Sequence, residues 1–320
     1  MQNTSSNLSN KDERLPEVEV LLATFNGEQY LSEFLESLCN QQGVKIHLRV
    51  SDDGSTDGTL DIIDSYKNKF ESCEIYSGPH KGPSANFFSL IEKATYDFIA
   101  LADQDDIWLP GHLLSSINRL AKNHEVPSMT FSTVIEFGQE LMSERVWPTR
   151  FPGEDIRTIL TENLARGCTI VLNSKAIELI KFHPPENAIM HDWWILLLIH
   201  SSGNVTWSTL PEVRYRIHVN NVVGKNPRFK VRLNRFFRNF RGGRWAVFNQ
   251  AEELLDSYNW VMCIQKRQEL ESFLHDVSSP LFSGRWNLIL WRGRFRSNFM
   301  DDLIIRMTLV LKRERTRGLR

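Results

Sequence analysis

Ala100-Leu-Ala-Asp-Gln-Asp-Asp-Ile-Trp-Leu-Pro110, in the first third of a 320-residue chain, decides how the remainder is read. The apolar run Phe98 to Ala102 passes without a break into Asp103, Asp105 and Asp106, then returns to Ile107 and Trp108. A short apolar run of this kind predicts a strand buried on both faces of a parallel sheet. Open α/β sheets bind their ligands where such strands end. Three carboxylates there repel one another unless a cation or donor hydrogens offset the charge. A hard divalent ion that also holds substrate phosphates is the simplest partner; the alternative is a solvated acidic turn.

Outward from this stretch, strand and helix patterns alternate. Val18 to Thr24 predicts a buried strand. Asn26, with Gln29 three residues on, predicts the capped start of a helix striped by Tyr30, Leu31, Phe34, Leu35 and Leu38. Val44, Ile46, Leu48 and Val50 alternate with polar residues as a second strand, which ends in Ser51-Asp-Asp-Gly-Ser-Thr-Asp-Gly-Thr59. A helix through Leu60, Ile63 and Tyr66, a strand near Ile75 and a helix through Leu90 and Ile91 follow. Such alternation implies an α/β fold, a mainly parallel sheet with helices on both faces. Farther on, Thr130–Ile135 and Thr169–Leu172 read as strands, and Asp155–Leu164 and Ser174–Lys181 as helices. Met190-His-Asp-Trp-Trp194 opens an apolar helix to about His200, and a strand pair, Val205–Trp207 and Val213–Ile217, leads into His218-Val-Asn-Asn221. Residues 1–17 read as a disordered leader, 18–224 as the α/β domain, and 225–320 as a helical basic C-terminal region.

Four scattered cysteines (Cys39, Cys73, Cys168, Cys263) lack C-x-x-C spacing, which argues against a disulfide framework or a zinc site. They fit a reducing, cytoplasmic compartment. The polar start lacks the apolar segment of a signal peptide, and no apolar stretch approaches the length of a membrane span. The net charge is −1. From Lys225 onward, however, Lys and Arg outnumber the acids, a split that suggests a basic module meeting an anionic surface or partner.

The turn at Asp52–Asp57 imitates a calcium loop, but a strand enters it and Asp64 stands where such loops usually carry Glu. Acids at a strand–turn–helix better suit a nucleotide, with Asp53 accepting the N3–H of a pyrimidine. Asp57 reads as a helix cap.

Thr24-Phe-Asn26, Asp52-Asp53-Gly-Ser-Thr-Asp57, Asn86-Phe87, Asp103-Gln-Asp-Asp-Ile-Trp108, His191-Asp-Trp-Trp194 and Tyr215-Arg-Ile-His-Val-Asn-Asn221 occur in that order. The ordered set resembles the family 2 glycosyltransferases, specifically their bacterial rhamnosyltransferase-like branch, over residues 18–224. The resemblance implies a GT-A (Rossmann-like) fold, a nucleotide-sugar donor, Mg²⁺ or Mn²⁺ as cofactor, and an inverting mechanism. It assigns Thr24, Phe25 and Asn26 to the nucleotide and Asp53 to the base. Asp103 falls near the ribose and Asp105 on the metal, with His218 a metal or diphosphate ligand. Asp192 matches the catalytic base, although many relatives carry Glu in place of His191. Gly167 and Cys168 correspond to the floor of the acceptor site, and Asp106 to a third acid without an assigned role. Lys81, with Arg214 or Arg216, is a candidate diphosphate contact or a solvated charge. Trp193 and Trp194 are core, pocket wall, or stacking faces for an acceptor sugar.

These residue types suit glycosyl transfer. Negative charge builds on the departing diphosphate, which a divalent cation stabilises. A carboxylate on the opposite side takes the acceptor hydroxyl's proton as that hydroxyl acidifies in the transition state. One displacement with one base inverts the anomeric centre and needs no nucleophilic carboxylate. Asp192 also reads as an N-cap of its helix, and the two roles are compatible. The expected activity moves L-rhamnose from dTDP-rhamnose to a saccharide acceptor, presented on a lipid carrier, in cell-surface polysaccharide synthesis. The alternatives are a hexosyltransferase using a UDP-sugar, a metal-dependent phosphohydrolase with Asp103 or Asp105 as nucleophile, and a calcium-binding or scaffold protein.

Beyond Gly224, Arg228, Lys230, Arg232, Arg235 and Arg238 interleave with Phe229, Leu233, Phe236 and Phe237. Leu303 to Lys312 and the arginines after it are similar. This pattern predicts peripheral contact with an anionic membrane on its cytoplasmic face, or helices packing their aromatics on the main domain. No nucleic-acid partner is expected, because no recognised module accompanies the charge.

Overall fold

The first four strands align their C-terminal ends at one edge, and everything chemical gathers there. In this computed structural model, which describes residues 14–138, 141–148, 155–218, 246–279 and 284–311, they are β1 (Glu17–Thr24), β2 (Lys45–Asp52), β3 (Ser72–Ser77) and β4 (Phe98–Asp103). Between them run α1 (Leu31–Cys39), α2 (Thr59–Tyr66) and α3 (Pro83–Lys93). The strands pair in parallel in the order β3-β2-β1-β4. Their register sets Thr24 beside Asp52, Ala23 beside Asp103 and Asp52 beside Ser77. β1 and β4 are buried along nearly all their length because helices cover both faces, with Glu19 the buried acid of β1, paired to Arg49.

The remaining elements are β5 (Ile107–Trp108), α4 (His112–Leu120), β6 (Ser128–Phe137), β7 (Arg145–Trp147), α5 (Ile156–Thr161), β8 (Val171–Asn173), α6 (Ser174–Phe182), α7 (His191–Ser202) and β9 (Asn204–Arg216). They extend the sheet in the order β4-β8-β6-β9-β5, with β7 on β6. Here the sheet is mixed rather than mainly parallel. β8 runs antiparallel to both neighbours, and β5 antiparallel to β9. The expected strand pair at 205–217 is one strand, β9, parallel to β6. Its polar centre hid that continuity, and the register slips where Pro211, which has no N–H to donate, faces Thr133.

The helix expected to start at Asn26 begins at Leu31 instead, without a side-chain cap. Asn26 has φ 47°, and its Oδ1 accepts from the Thr56 backbone N–H at 2.8 Å. The residue ties two loops together instead of capping.

Two cores result. Beneath one face of the sheet, Phe34, Leu35, Leu38, Ile63, Leu113 and Ile117 pack from α1, α2 and α4. On the other, α3, α5, α6 and α7 share a core with α8 (Ala246–Tyr258), α9 (Ile264–Ser278), α10 (Arg285–Leu290) and α11 (Phe299–Leu311). Trp194 to Ile199 are all inaccessible. α7 is apolar all round because it lies between the sheet and the C-terminal helices. The helices α8 and α9 bury Phe248, Tyr258 and Phe273. The basic stretch from Arg228 to Trp245, the pair Asn220-Asn221 and residues 1–13 of the leader fall outside the described residues. Among the described residues no helix is long and apolar enough to cross a membrane.

Candidate active site

A cradle forms from the loops after β1, β2 and β4. Thr24 is buried, and its hydroxyl donates to Asp52 Oδ2 at 2.8 Å, so its side chain shapes the turn and is not open to a nucleotide. Asp52 also accepts from the Ser55 hydroxyl and from the Gly54 and Ser55 backbone N–H groups. Burial raises its pKa, but these hydrogen bonds outweigh it and hold the carboxyl below its ordinary value. Asp53 accepts from the backbone N–H of His80 at 2.6 Å and of Gly82 at 3.0 Å. It therefore anchors the loop carrying exposed Lys81, and each carboxylate oxygen keeps further acceptor capacity. Phe25 is 56% exposed, and its backbone is gripped at both N–H and C=O by the Gln104 amide. An aromatic ring thus stands open at the sheet edge next to Asp53's turn.

Behind the cradle the acids converge. Asp103, Asp106 and Cys168 bring potential ligand atoms within 4.8 Å of one another. Burial, then Asp105 and Asp192, push the Asp103 carboxyl up to about 8, against the pull of Arg166. Burial, then Asp105 and Asp103, raise Asp106 as well, and burial raises the Cys168 thiol beside it. Arg216 at the end of β9 fixes this turn: its backbone N–H donates to Asp106 Oδ1 and its Nε to the Asp105 carbonyl, both at 2.8 Å. Its guanidinium also bonds Glu33. Arg214 pairs with Glu144. The His218 Nε2 and Asp105 Oδ2 atoms are 2.6 Å apart, so an imidazole and a carboxylate already point at one place. A cluster of acids raising one another's pKa, flanked by an imidazole, is a donor set that suits a hard divalent cation.

Facing the acids is the start of α7. Asp192 is buried and its Oδ1 accepts from the adjacent Trp193 N–H at 2.7 Å, but α7 starts at His191 with Met190 in the N-cap position and no side-chain cap, so the expected N-cap role is corrected: Asp192 is an acid of the first turn. Its charge is felt at Asp103. Gly167 lies beside it: a Cβ built there would come within 3.0 Å of His191 Nε2 and 3.7 Å of Asp192 Cβ. Both ring nitrogens of His191 are buried without a hydrogen-bond partner, and the ring stacks on Phe87 at 4.0 Å. Burial lowers the His191 pKa, and neighbouring Asp192 only partly offsets that. Trp193 is half-buried and packs against the core, its Nε1 donating to the Ile159 carbonyl at 2.7 Å. Two expected acceptor contacts are corrected. Trp194 is wholly buried against the core, edge-on to Tyr258, and shows no face to a sugar. Cys168 is wholly buried too, so it backs the acids from behind instead of lining an open floor.

Sequence reading missed Arg166 and Gln104. Arg166 is the cation nearest the acids in its effect, and it stacks over Trp147 and Tyr215 while pairing with Glu136. Its position directly before Gly167 was the one available signal.

Comparisons with known proteins bear on the family and the fold. Residues 19–178 match the family model "Glycosyl transferase family 2". The chain is 31% identical over 310 residues to the dTDP-rhamnosyl transferase RfbG of Shigella flexneri, covering 91% of this chain and 99% of that protein. Among solved structures, Staphylococcus aureus TarS 1–349 in complex with UDP-GlcNAc superposes with a TM-score of 0.56 at 17% identity, over 86% of this chain and 76% of TarS. The mannosyltransferase PcManGT of Pyrobaculum calidifontis, in complex with GDP-Man and Mn²⁺, gives 0.53 at 15% identity, over 86% and 72%.

Proposed function

The chain belongs to the family 2 glycosyl transferases and has their GT-A fold, and from that premise we propose an inverting, metal-dependent transferase that moves L-rhamnose from dTDP-rhamnose to a saccharide acceptor. The observation that carries the proposal is the gathering of acids from separate elements: Asp105 and Asp192 both act electrostatically on the Asp103 carboxyl, and Gly167 packs beside Asp192. The likeness to a dTDP-rhamnosyl transferase along nearly its whole length supports the donor.

In this reading Asp53 accepts from the thymine N3–H while Phe25 covers the base and Asn26 holds the loop. Asp103 orients the ribose, and Lys81 reaches the diphosphate. Asp105 and His218 would hold Mg²⁺ or Mn²⁺, whose chemistry there is to stabilise the charge that develops on the departing diphosphate. Asp192 takes the acceptor hydroxyl's proton as that oxygen attacks the anomeric carbon from the side opposite the diphosphate. The attack and the departure are one displacement, so the configuration inverts. Gly167 and Trp193 line the acceptor side, and the lack of a side chain at 167 leaves the approach to Asp192 open. The acceptor we assign is a growing cell-surface polysaccharide on a lipid carrier.

Asp192→Asn keeps the shape and removes the base. Turnover should fall by about 10²–10⁴-fold with donor affinity unchanged. Asp105→Ala should instead weaken donor binding only when Mn²⁺ is present. Near-normal turnover by Asp192→Asn would remove Asp192 as base. Thermal stabilisation by UDP-sugars and not by dTDP-rhamnose would transfer the assignment to a UDP-dependent hexosyltransferase.

A further inference from the structure

The helices α10 and α11 are clamped into a rigid antiparallel pair. Arg285 of α10 donates to the Val310 carbonyl at 2.8 Å. Arg306 of α11 donates to the carbonyls of Leu288, Ile289 and Trp291 at the other end of α10, while pairing with Asp302. Leu288, Ile305 and Leu309 seat the pair on the main core, so both remaining faces look outward.

Those outward faces are apolar. On α10, Trp286 and Leu290 are exposed; on α11, Phe299, Leu303 and Met307 are, at helical spacing. Leu290 is 72% and Phe299 66% accessible, a poor use of large side chains on a surface meant only for water. Arg292 and Arg294 stand exposed in the connection between the helices. Of the two acids of this pair, Asp302 is buried on Arg306, and only Asp301, half-buried, is left to set against the arginines. From residue 284 to the end the sequence holds ten basic residues against three acidic ones.

We propose that the outward face of α10 and α11 is a docking surface for an anionic lipid bilayer, with the apolar side chains entering the headgroup region and the arginines meeting lipid phosphates. Exposed Arg292 and Arg294 beside an apolar stripe fit an anionic interface better than a second copy of the same face, because two such faces would bring these like charges together. The inference rests on the proposed lipid-carried acceptor only for its purpose; its test does not use that acceptor.

The test is co-sedimentation of the full chain with phosphatidylcholine vesicles containing or lacking phosphatidylglycerol. Binding is expected only to the anionic vesicles and should weaken as salt rises. The double substitution Leu290→Asp, Phe299→Asp should lower binding at least about tenfold while leaving the circular dichroism spectrum and donor turnover unchanged. Arg292→Ser with Arg294→Ser should weaken binding to anionic vesicles without perturbing the apolar stripe. Unaltered binding by both variants would overturn the proposal. So would an absence of vesicle binding together with a dimer in solution that the double aspartate variant disperses, since the occupant would then be a second copy. Because turnover is measured separately, a failure of the unsubstituted, active enzyme to bind anionic vesicles overturns this inference alone.

Discussion

Gly167 is the residue on which the acceptor side turns. A methyl group there meets His191 Nε2 at 3.0 Å, so the imidazole must shift by a few tenths of an ångström, while Asp192 Cβ at 3.7 Å is in ordinary contact. Gly167→Ala should therefore cost about 1–3 kcal/mol of stability through overpacking. Turnover should suffer more, by up to about 10²-fold, because moving the His191 ring shifts the residue directly before the base and disturbs its alignment. Steady-state kinetics beside thermal melts would check this; a loss of stability with unchanged turnover would separate Gly167 from the chemistry. The acids of the site were legible in the sequence because carboxylates at strand ends have few other uses. Trp194 was not, since a Trp at the start of an apolar helix looks the same whether it faces a pocket or the core. Gln104 was equally hidden: it grips the backbone of Phe25, 79 residues away, and nothing local marks such a contact.

At the scale of elements, α4 and β9 are joined by one buried carboxylate. Glu212 accepts from both arms of the Arg119 guanidinium at 2.7 and 2.8 Å, from the Ser115 hydroxyl at 2.8 Å, and faces His112 Nδ1 at 3.2 Å. Burial raises its pKa, but His112 and Arg119 bring it down to about 2. A carboxyl depressed in the folded state contributes stability that is complete above its unfolded value, near 4.5, and is lost as pH falls through the folded value near 2. The contribution at neutral pH is on the order of 3 kcal/mol. Glu212→Gln should lower the melting temperature at pH 7 and flatten its decline between about pH 4.5 and 2. A variant that melts with the parent's acid profile would show that the clamp is not the titrating group. Nothing local announced α4, because Ser116 and His112 fill two of its buried positions and break the apolar stripe. The helices with continuous stripes, α1 and α7, were plain to read.

Over the whole molecule, the C-terminal helices behave as part of the catalytic body. The Glu162 carboxylate just past α5 accepts from the Ser297 N–H and hydroxyl, and Thr158 and Thr161 donate to the carbonyls of Arg294 and Phe295. Tyr258 reaches the His183 carbonyl at 2.8 Å and packs against Trp194 on α7, the helix that carries Asp192. The sequence marked a basic helical tail beyond residue 225 and left its partner open between an anionic membrane and the main domain, because an apolar stripe does not say what it will be buried against. Deleting residues 246–320 would uncover the face of α7 and remove the buried Phe248, Leu254, Tyr258 and Phe273. At about 1.5–3 kcal/mol for each buried large side chain, the loss is on the order of 10 kcal/mol, comparable to the roughly 5–15 kcal/mol by which whole domains are stable. The truncated chain should therefore show no cooperative melt and should bind a hydrophobic dye. If it melts cooperatively and still binds the donor, the α/β part folds alone and the helices are an accessory.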